Sequence, residues 1–395
     1  MKFLINMILA YIIYPFKKHS FKGRNIWIVG GNAGDLYVDN GRAIYEYLRT
    51  KEQKDGVEVF WVANTNSLVF DRIPGNVLVK GSIDAYLHFM NAKVVLFSHS
   101  ISADIVPNLF VVPFINRFHK KVYKVFLNHG TVGFKKRLPM KPKLEKIIEK
   151  LIQSYDLNIC DSEFEKAIKR DDWKIDDEKI KVTGYPRYDK LYDIDDNNKS
   201  ILFMPTWRNW IRPENTKIED TEYFENIIGL ITNDRLTSYL EEQGMQLSIY
   251  IHQLMQAYLD NFKKAELNKN VIILPIDADI TEELMKAELL ITDYSSVAYD
   301  FYYMNKPILF FQFDKEEYQQ KVGSYVDLDN GLFGQPVYTM DDCVNEIIEI
   351  SKRNFRYDKK YEEVNEKLRK KYLKYEDKEN CERIYEIIKD GLCGK

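Results

Sequence analysis

The chain has 395 residues, enough for two domains, with 45% hydrophobic and 30% charged residues, and its four cysteines (Cys160, Cys343, Cys381, Cys393) are scattered. No Cys-x-x-Cys or Cys/His cluster occurs, which argues against a zinc site or a disulfide framework and for a reducing compartment. The net charge of −3 is divided: residues 1–150 hold 23 Lys+Arg against 11 Asp+Glu, the remainder 34 against 49, so the first half expects an anionic partner. Without a nucleic-acid-binding motif, that partner is better matched by an anionic membrane surface or a phosphate-rich polymer than by nucleic acid.

Residues 3–16 form an apolar segment followed by Lys17 and Lys18. It is shorter than the roughly 20 residues that span a bilayer and has no small-residue cleavage site. Tyr11, Tyr14 and the lysines suit an interfacial anchor; the plainer alternative is a helix packed on the protein's own core or on a partner chain. Strands are predicted at 25–30, 57–63, 77–80 and 93–98, with helices at 39–50 and 83–91. This alternation implies a parallel, doubly wound sheet. The loop Gly30-Gly-Asn-Ala-Gly34 is not Gly-x-Gly-x-x-Gly, so no dinucleotide site is read there.

A strand at 124–127 runs into Asn128-His129-Gly130-Thr131 and then Gly133-Phe134-Lys135-Lys136. A histidine at a strand end, before a glycine that admits a ligand to the backbone, is placed for chemistry. A histidine satisfied within a loop is the simpler reading. A strand at 156–161, the segment Gly184-Tyr-Pro186-Arg-Tyr-Asp189 and a polar linker at 193–199 follow. The second half opens with a strand at 200–204 and Pro205-Thr206-Trp207-Arg208, where Arg208 would suit bidentate phosphate binding. A helix over 222–243, a strand at 247–251 ending at His252, a strand at 271–274 and a helix at 280–287 come next. Residues 289–292 and 308–313 are buried strands flanking Asp293-Tyr294-Ser295-Ser296 and a short helix from Val297. The two serines cap that helix or hold a phosphate at its N-terminus. Residues 318–327 and 331–337 are predicted as loop and helix, and 341–351 and 361–390 as long charged helices.

Five motifs taken together carry a resemblance. His129-Gly130, Gly184-x-Pro186, Pro205-Thr-Trp-Arg208, His252 and Ile291-Thr-Asp-Tyr-Ser-Ser296-Val, with Asn305-Lys-Pro-Ile behind the last, resemble the CDP-glycerol glycerophosphotransferases. These are teichoic-acid primases, polymerases and related capsule enzymes. Two positions depart from the family pattern: Asn128 stands where tryptophan is usual, and Gln253 replaces the proline after His252.

The resemblance implies an α/β fold like the GT-B glycosyltransferases, with two Rossmann-like domains facing across a cleft and the activated donor on the second. The expected organisation is a membrane-associating segment at 1–18, an acceptor-side domain at 19–193, a donor domain at 194–360 and a helix at 361–395 packing back on the first domain. The implied reaction is transfer of glycerol phosphate from CDP-glycerol to a hydroxyl of a lipid-linked saccharide or growing polymer, releasing CMP. Short overall length leans towards a primase-like enzyme at the cytoplasmic face of the membrane. By resemblance, Ser295, Ser296 and Thr206 would hold the donor diphosphate, Arg208 and His252 would neutralise it, and His129 would be the base. Gly130, Lys135 and Lys136 fall on the acceptor side; Asp293 would orient a histidine or touch the glycerol. No cofactor or tightly bound metal is expected, with Mg²⁺ on the diphosphate left open. Competing readings are CDP-ribitol as donor, a nucleotide-sugar GT-B transferase or epimerase, and a non-catalytic membrane or polyanion binder.

Overall fold

The computed structural model describes residues 2–67, 69–73, 75–108, 111, 122–194, 199–212, 216–251, 255, 261–262, 266–276 and 278–394. The chain divides into two compact units. The first comprises Met1–Thr131, Pro139–Lys190 and Leu373–Lys395; the second, Val132–Leu138 and Leu191–Tyr372.

The first unit is built on strands β1 (Asn25–Gly30), β2 (Val57–Ala63), β3 (Val77–Val79), β4 (Val94–Phe97), β5 (Tyr123–Phe126), β6 (Leu157–Cys160) and β7 (Ile180–Val182). They form one parallel sheet in the order β3-β2-β1-β4-β5-β6-β7. The strands β4, β5 and β6 are buried at every position. This is why they read as continuous apolar runs rather than alternating ones: helices cover both faces of a parallel sheet. The β7 strand, three residues beside the Gly184 motif, was not predicted; it is too short to show a period.

Helix α1 (Lys2–Lys17) buries Met7 and Ala10, and its Asn6 Nδ2 donates to the Gly81 carbonyl at 2.9 Å. Its other side leaves Ile5, Ile8, Ile12 and Phe16 between 54% and 83% exposed. One face therefore packs on the protein's own core, as the plainer reading expects, and the other face is apolar and open. Among the described residues no helix is long and apolar enough to cross a membrane. Helices α2 (Asp39–Thr50), α3 (Ile83–Asn91) and α4 (Glu163–Asp171) flank the sheet, the last two capped by Ser82 and Ser162.

The second unit carries β8 (Ser200–Met204), β9 (Gln246–Ile249), β10 (Val271–Ile273), β11 (Ala287–Thr292), β12 (Ile308–Phe311) and β13 (Gln335–Val337). Their order is β10-β9-β8-β11-β12-β13, again parallel. The helix predicted at 222–243 is two helices, α5 (Glu222–Ile231) and α6 (Asp234–Gln243). Asn233 restarts the backbone as an N-cap, its side chain accepting from Leu236 N at 3.0 Å. Residues 335–337, predicted as loop and helix, form the edge strand β13. Helix α7 (Val297–Tyr303) links β11 to β12.

The long C-terminal helix is also two, α8 (Lys359–Tyr372) in the second unit and α9 (Asn380–Cys393) in the first. The carboxylate of Asp189 caps α9, accepting from Asn380 N at 3.0 Å and Cys381 N at 2.7 Å. A carboxylate at a helix start satisfies orphan amides and favours the dipole. The Gly184-to-Asp189 motif thus acts here as an anchor for the chain's last helix. Gly184, at φ +73°, sits where a Cβ would meet Asn380 Oδ1 at 2.1 Å.

Candidate active site

In an open parallel sheet, ligands sit outside the carboxyl ends of the strands where strand order reverses. In the second unit that point lies between β8 and β11. Pro205-Thr206-Trp207-Arg208 leaves one strand and Asp293-Tyr294-Ser295-Ser296 leaves the other. These motifs are far apart in sequence, yet they are tied directly. Asp293 Oδ1 accepts from Thr206 N at 2.9 Å, Thr206 Oγ1 at 2.5 Å and Tyr294 N at 2.6 Å.

Arg208 is fully buried. Its Nε and Nη2 donate to the two oxygens of Asp314 at 2.7 and 2.9 Å, and its Nη1 to the Thr206 carbonyl at 2.6 Å. Its Nη2 also lies 2.8 Å from Asp293 Oδ2. Burial opposes the guanidinium charge, but Asp293 and Asp314 outweigh it and hold the group protonated. Tyr294 donates to Asp314 Oδ1 at 3.2 Å and stacks on Tyr318 at 3.6 Å and 10°. The bidentate geometry expected of Arg208 is present, but its partner is Asp314, not an exposed phosphate position. Arg208 and Asp293 together brace the two loops.

Ser295 and Ser296 are partly exposed. Ser295 Oγ accepts from Val297 N at 3.4 Å, whereas Ser296, at the N-cap position of α7, makes no capping bond. A cavity of about 550 Å³ is lined by Arg208 and Asp314 of the brace together with Trp210, Tyr223, Glu222, Glu317 and Lys321. Neither serine is among its described lining residues.

Lys135 and Lys136, expected on the acceptor side, belong to the second unit. Phe134 inserts among Tyr299, Phe310 and Phe333 at 5.5–5.7 Å between ring centroids. The Gly133 carbonyl accepts from Tyr325 N and Val326 N at 2.9 and 3.1 Å. A Cβ on Gly133 would lie 2.0 Å from Tyr299 Oη, so only glycine allows this approach. The anchor carries Lys135 Nζ to 5.9 Å from the Trp207 ring, beside the loop after β8, where burial lowers its pKa.

In the first unit, order reverses between β1 and β4. His129 follows β5 and is exposed, with Gly130 buried behind it. Asn40 Nδ2 donates to the Asn128 carbonyl at 2.9 Å, and Thr131 Oγ1 to Asp161 Oδ2 at 2.5 Å. Asn128 adopts φ +57°, which asparagine tolerates better than tryptophan. Its side chain enters a buried network, donating to Tyr185 Oη and Glu165 Oε1 at 3.2 and 3.3 Å. Burial and the neighbouring Glu165 carboxylate push Asp161 well up.

The His129 ring is stacked on His99, 4.6 Å between centroids and 8° between planes. His99 carries the same signal as His129, a histidine just past a strand. What sequence withheld is that β4 and β5 are neighbours. His252 lies outside the described residues. Among the described residues no group of three His, Cys, Asp or Glu could hold a metal.

The family model for CDP-Glycerol:Poly(glycerophosphate) glycerophosphotransferase matches residues 12–390. The chain belongs to this family. It is 27% identical over 383 residues to the minor teichoic acid biosynthesis protein GgaB of Bacillus subtilis, covering 93% of this chain but only 40% of that protein. It is 23% identical over 376 residues to the teichoic acid glycerol-phosphate transferase of Staphylococcus aureus, covering 90% of each. Among solved structures, a variant of the wall teichoic acid polymerase TagF soaked with CDPG superposes over 99% of this chain and 98% of that one, with a TM-score of 0.70 at 18% identity. At that identity the match speaks for the fold of this glycerophosphotransferase-family chain, two parallel-sheet α/β units.

Proposed function

We propose that this chain transfers glycerol phosphate from CDP-glycerol to a hydroxyl of a teichoic-acid-type acceptor. The observation carrying this reading is the junction of the Thr206 and Asp293 loops at the reversal point of the second sheet. An acceptor oxygen bonds to the β-phosphorus, the bridging P–O bond breaks, and its electron pair leaves with CMP. Such transfers depend on positioning and charge neutralisation. Ser295, Ser296 and the amides at the start of α7 supply donors, and Lys135 supplies the accessible cation that Arg208 does not. His129 takes the acceptor proton, a role that contributes about 10²–10⁴-fold. The acceptor is a lipid-linked saccharide, met at the inner membrane face through the open apolar side of α1 and the basic first half of the chain.

The test is CMP release from CDP-glycerol, with and without a lipid-linked disaccharide. CDP-ribitol and UDP-N-acetylglucosamine run in parallel. Acceptor-dependent CMP from CDP-glycerol, lost in His129→Ala, is the expected result. CMP from CDP-ribitol alone changes the substrate, and UDP release overturns the reading.

A further inference from the structure

The stacked partner of His129 has a built foundation. His99 stands just past β4, at the reversal point of the first sheet, and its Nδ1 lies 3.5 Å from Asp104 Oδ1. Asp104 is fully buried. Its Oδ2 accepts from Ser98 N and His99 N at 2.9 and 2.7 Å, and its Oδ1 from Ala33 N at 2.9 Å. Lys80 Nζ ties the same two loops, donating to the Ala33 and Ala103 carbonyls at 2.5 Å each. Burying a carboxylate is costly unless it is hydrogen-bonded and paired. Here three amides and an imidazole meet that cost, and the result is a fixed His99 ring.

That ring does not fill a core. The His99 side chain is 38% exposed and His129 is also exposed, so the contact contributes little hydrophobic burial. Its distinguishing property is geometry: two imidazoles nearly parallel on adjacent strands, one of them tied to a buried anion. Burial works against charge on His99, but Asp104 more than offsets this and raises its pKa. Besides Asp104, Asp39 faces His99 electrostatically, and Arg187 reaches the backbone carbonyl of His129 at 3.4 Å while pairing with Asp39 at 2.9 Å.

We propose that His99 is a positioning residue, a platform anchored by Asp104 that sets the plane of the His129 ring for proton abstraction. This rests on the reading of His129 as the base. Misplacing a reacting group by about 1 Å can cost 10²-fold, so His99→Ala is expected to lower kcat for CMP release by roughly 10–100-fold. KM for CDP-glycerol stays within about twofold, since the groups assigned to the donor belong to the second unit. His99→Phe keeps a flat ring but loses the Asp104 contact, and recovers only part of the lost kcat. Histidine-labelled protein gives a readout independent of turnover: the His129 ring protons lose their ring-current shift in His99→Ala and keep one in His99→Phe. A kcat for His99→Ala within twofold of wild type, or His129 ring-proton shifts unchanged in His99→Ala, overturns the proposal. Full activity in His129→Ala overturns the base reading itself, whereas an inactive His129→Ala beside an active His99→Ala overturns only the platform.

Discussion

Arg208 offers the sharpest separation between a ligand and a brace. Arg208→Gln removes a guanidinium that is bidentate to Asp314 and 2.8 Å from Asp293, both carboxylates being nearly fully buried. Removing one partner of a buried pair costs about 3–5 kcal/mol, because the remaining charge is left uncompensated. Here two carboxylates lose the same cation, so the upper part of that range applies. For a unit of this size each kcal/mol moves Tm by about 2–4 °C, giving a fall of roughly 10–20 °C. Calorimetry of wild type and variant is the assay, with CDP-glycerol KM alongside. Arg208→Gln with an unchanged Tm and only a raised KM would refute the brace and restore Arg208 as a phosphate ligand.

Thr206→Val removes a hydroxyl bonded at 2.5 Å to a buried carboxylate and should cost about 1.5–3 kcal/mol by denaturant unfolding, with Thr206→Ser close to wild type. Gly133→Ala forces a Cβ onto Tyr299 Oη; Tm falls, KM for CDP-glycerol rises as Lys135 is displaced, and Tyr299→Phe relieves part of both. Asp189→Ala removes the cap of α9 and should cost about 0.5–2 kcal/mol, with faster amide exchange confined to the first turns of 380–393. Replacing Ile5, Ile8 and Ile12 with serine should weaken cosedimentation with anionic vesicles while leaving Tm within a few degrees, since these side chains are exposed; unchanged cosedimentation would rule out α1 as the contact.

Much of this was legible in the residues. Buried parallel strands are short apolar runs, and a turn with hydroxyls or a histidine follows each one that matters. Hence β1, β8 and the Asp293 turn were placed within a residue or two from sequence, and the five ordered motifs named the family. Helix interruptions at Thr232-Asn233 and after Tyr372 were not legible, because each continuous polar-apolar pattern reads as one helix until a cap is seen to interrupt it. Asn233 supplies one cap from within; Asp189 supplies the other from 191 residues away.

The tertiary structure alone decided who stands beside whom. Sequence placed Thr206, Arg208 and Asp293 at strand ends, but only the order β8-β11-β12 puts Asp314 within reach of Arg208 and turns a phosphate-seeking arginine into a brace. Only the adjacency of β4 and β5 stacks His99 on His129. Only the close approach of Gly133 to Tyr299 assigns Lys135 to the second unit. Local propensity and motif spacing determine what each loop carries. Strand order is settled by the packing of whole layers, and it determines which loops meet.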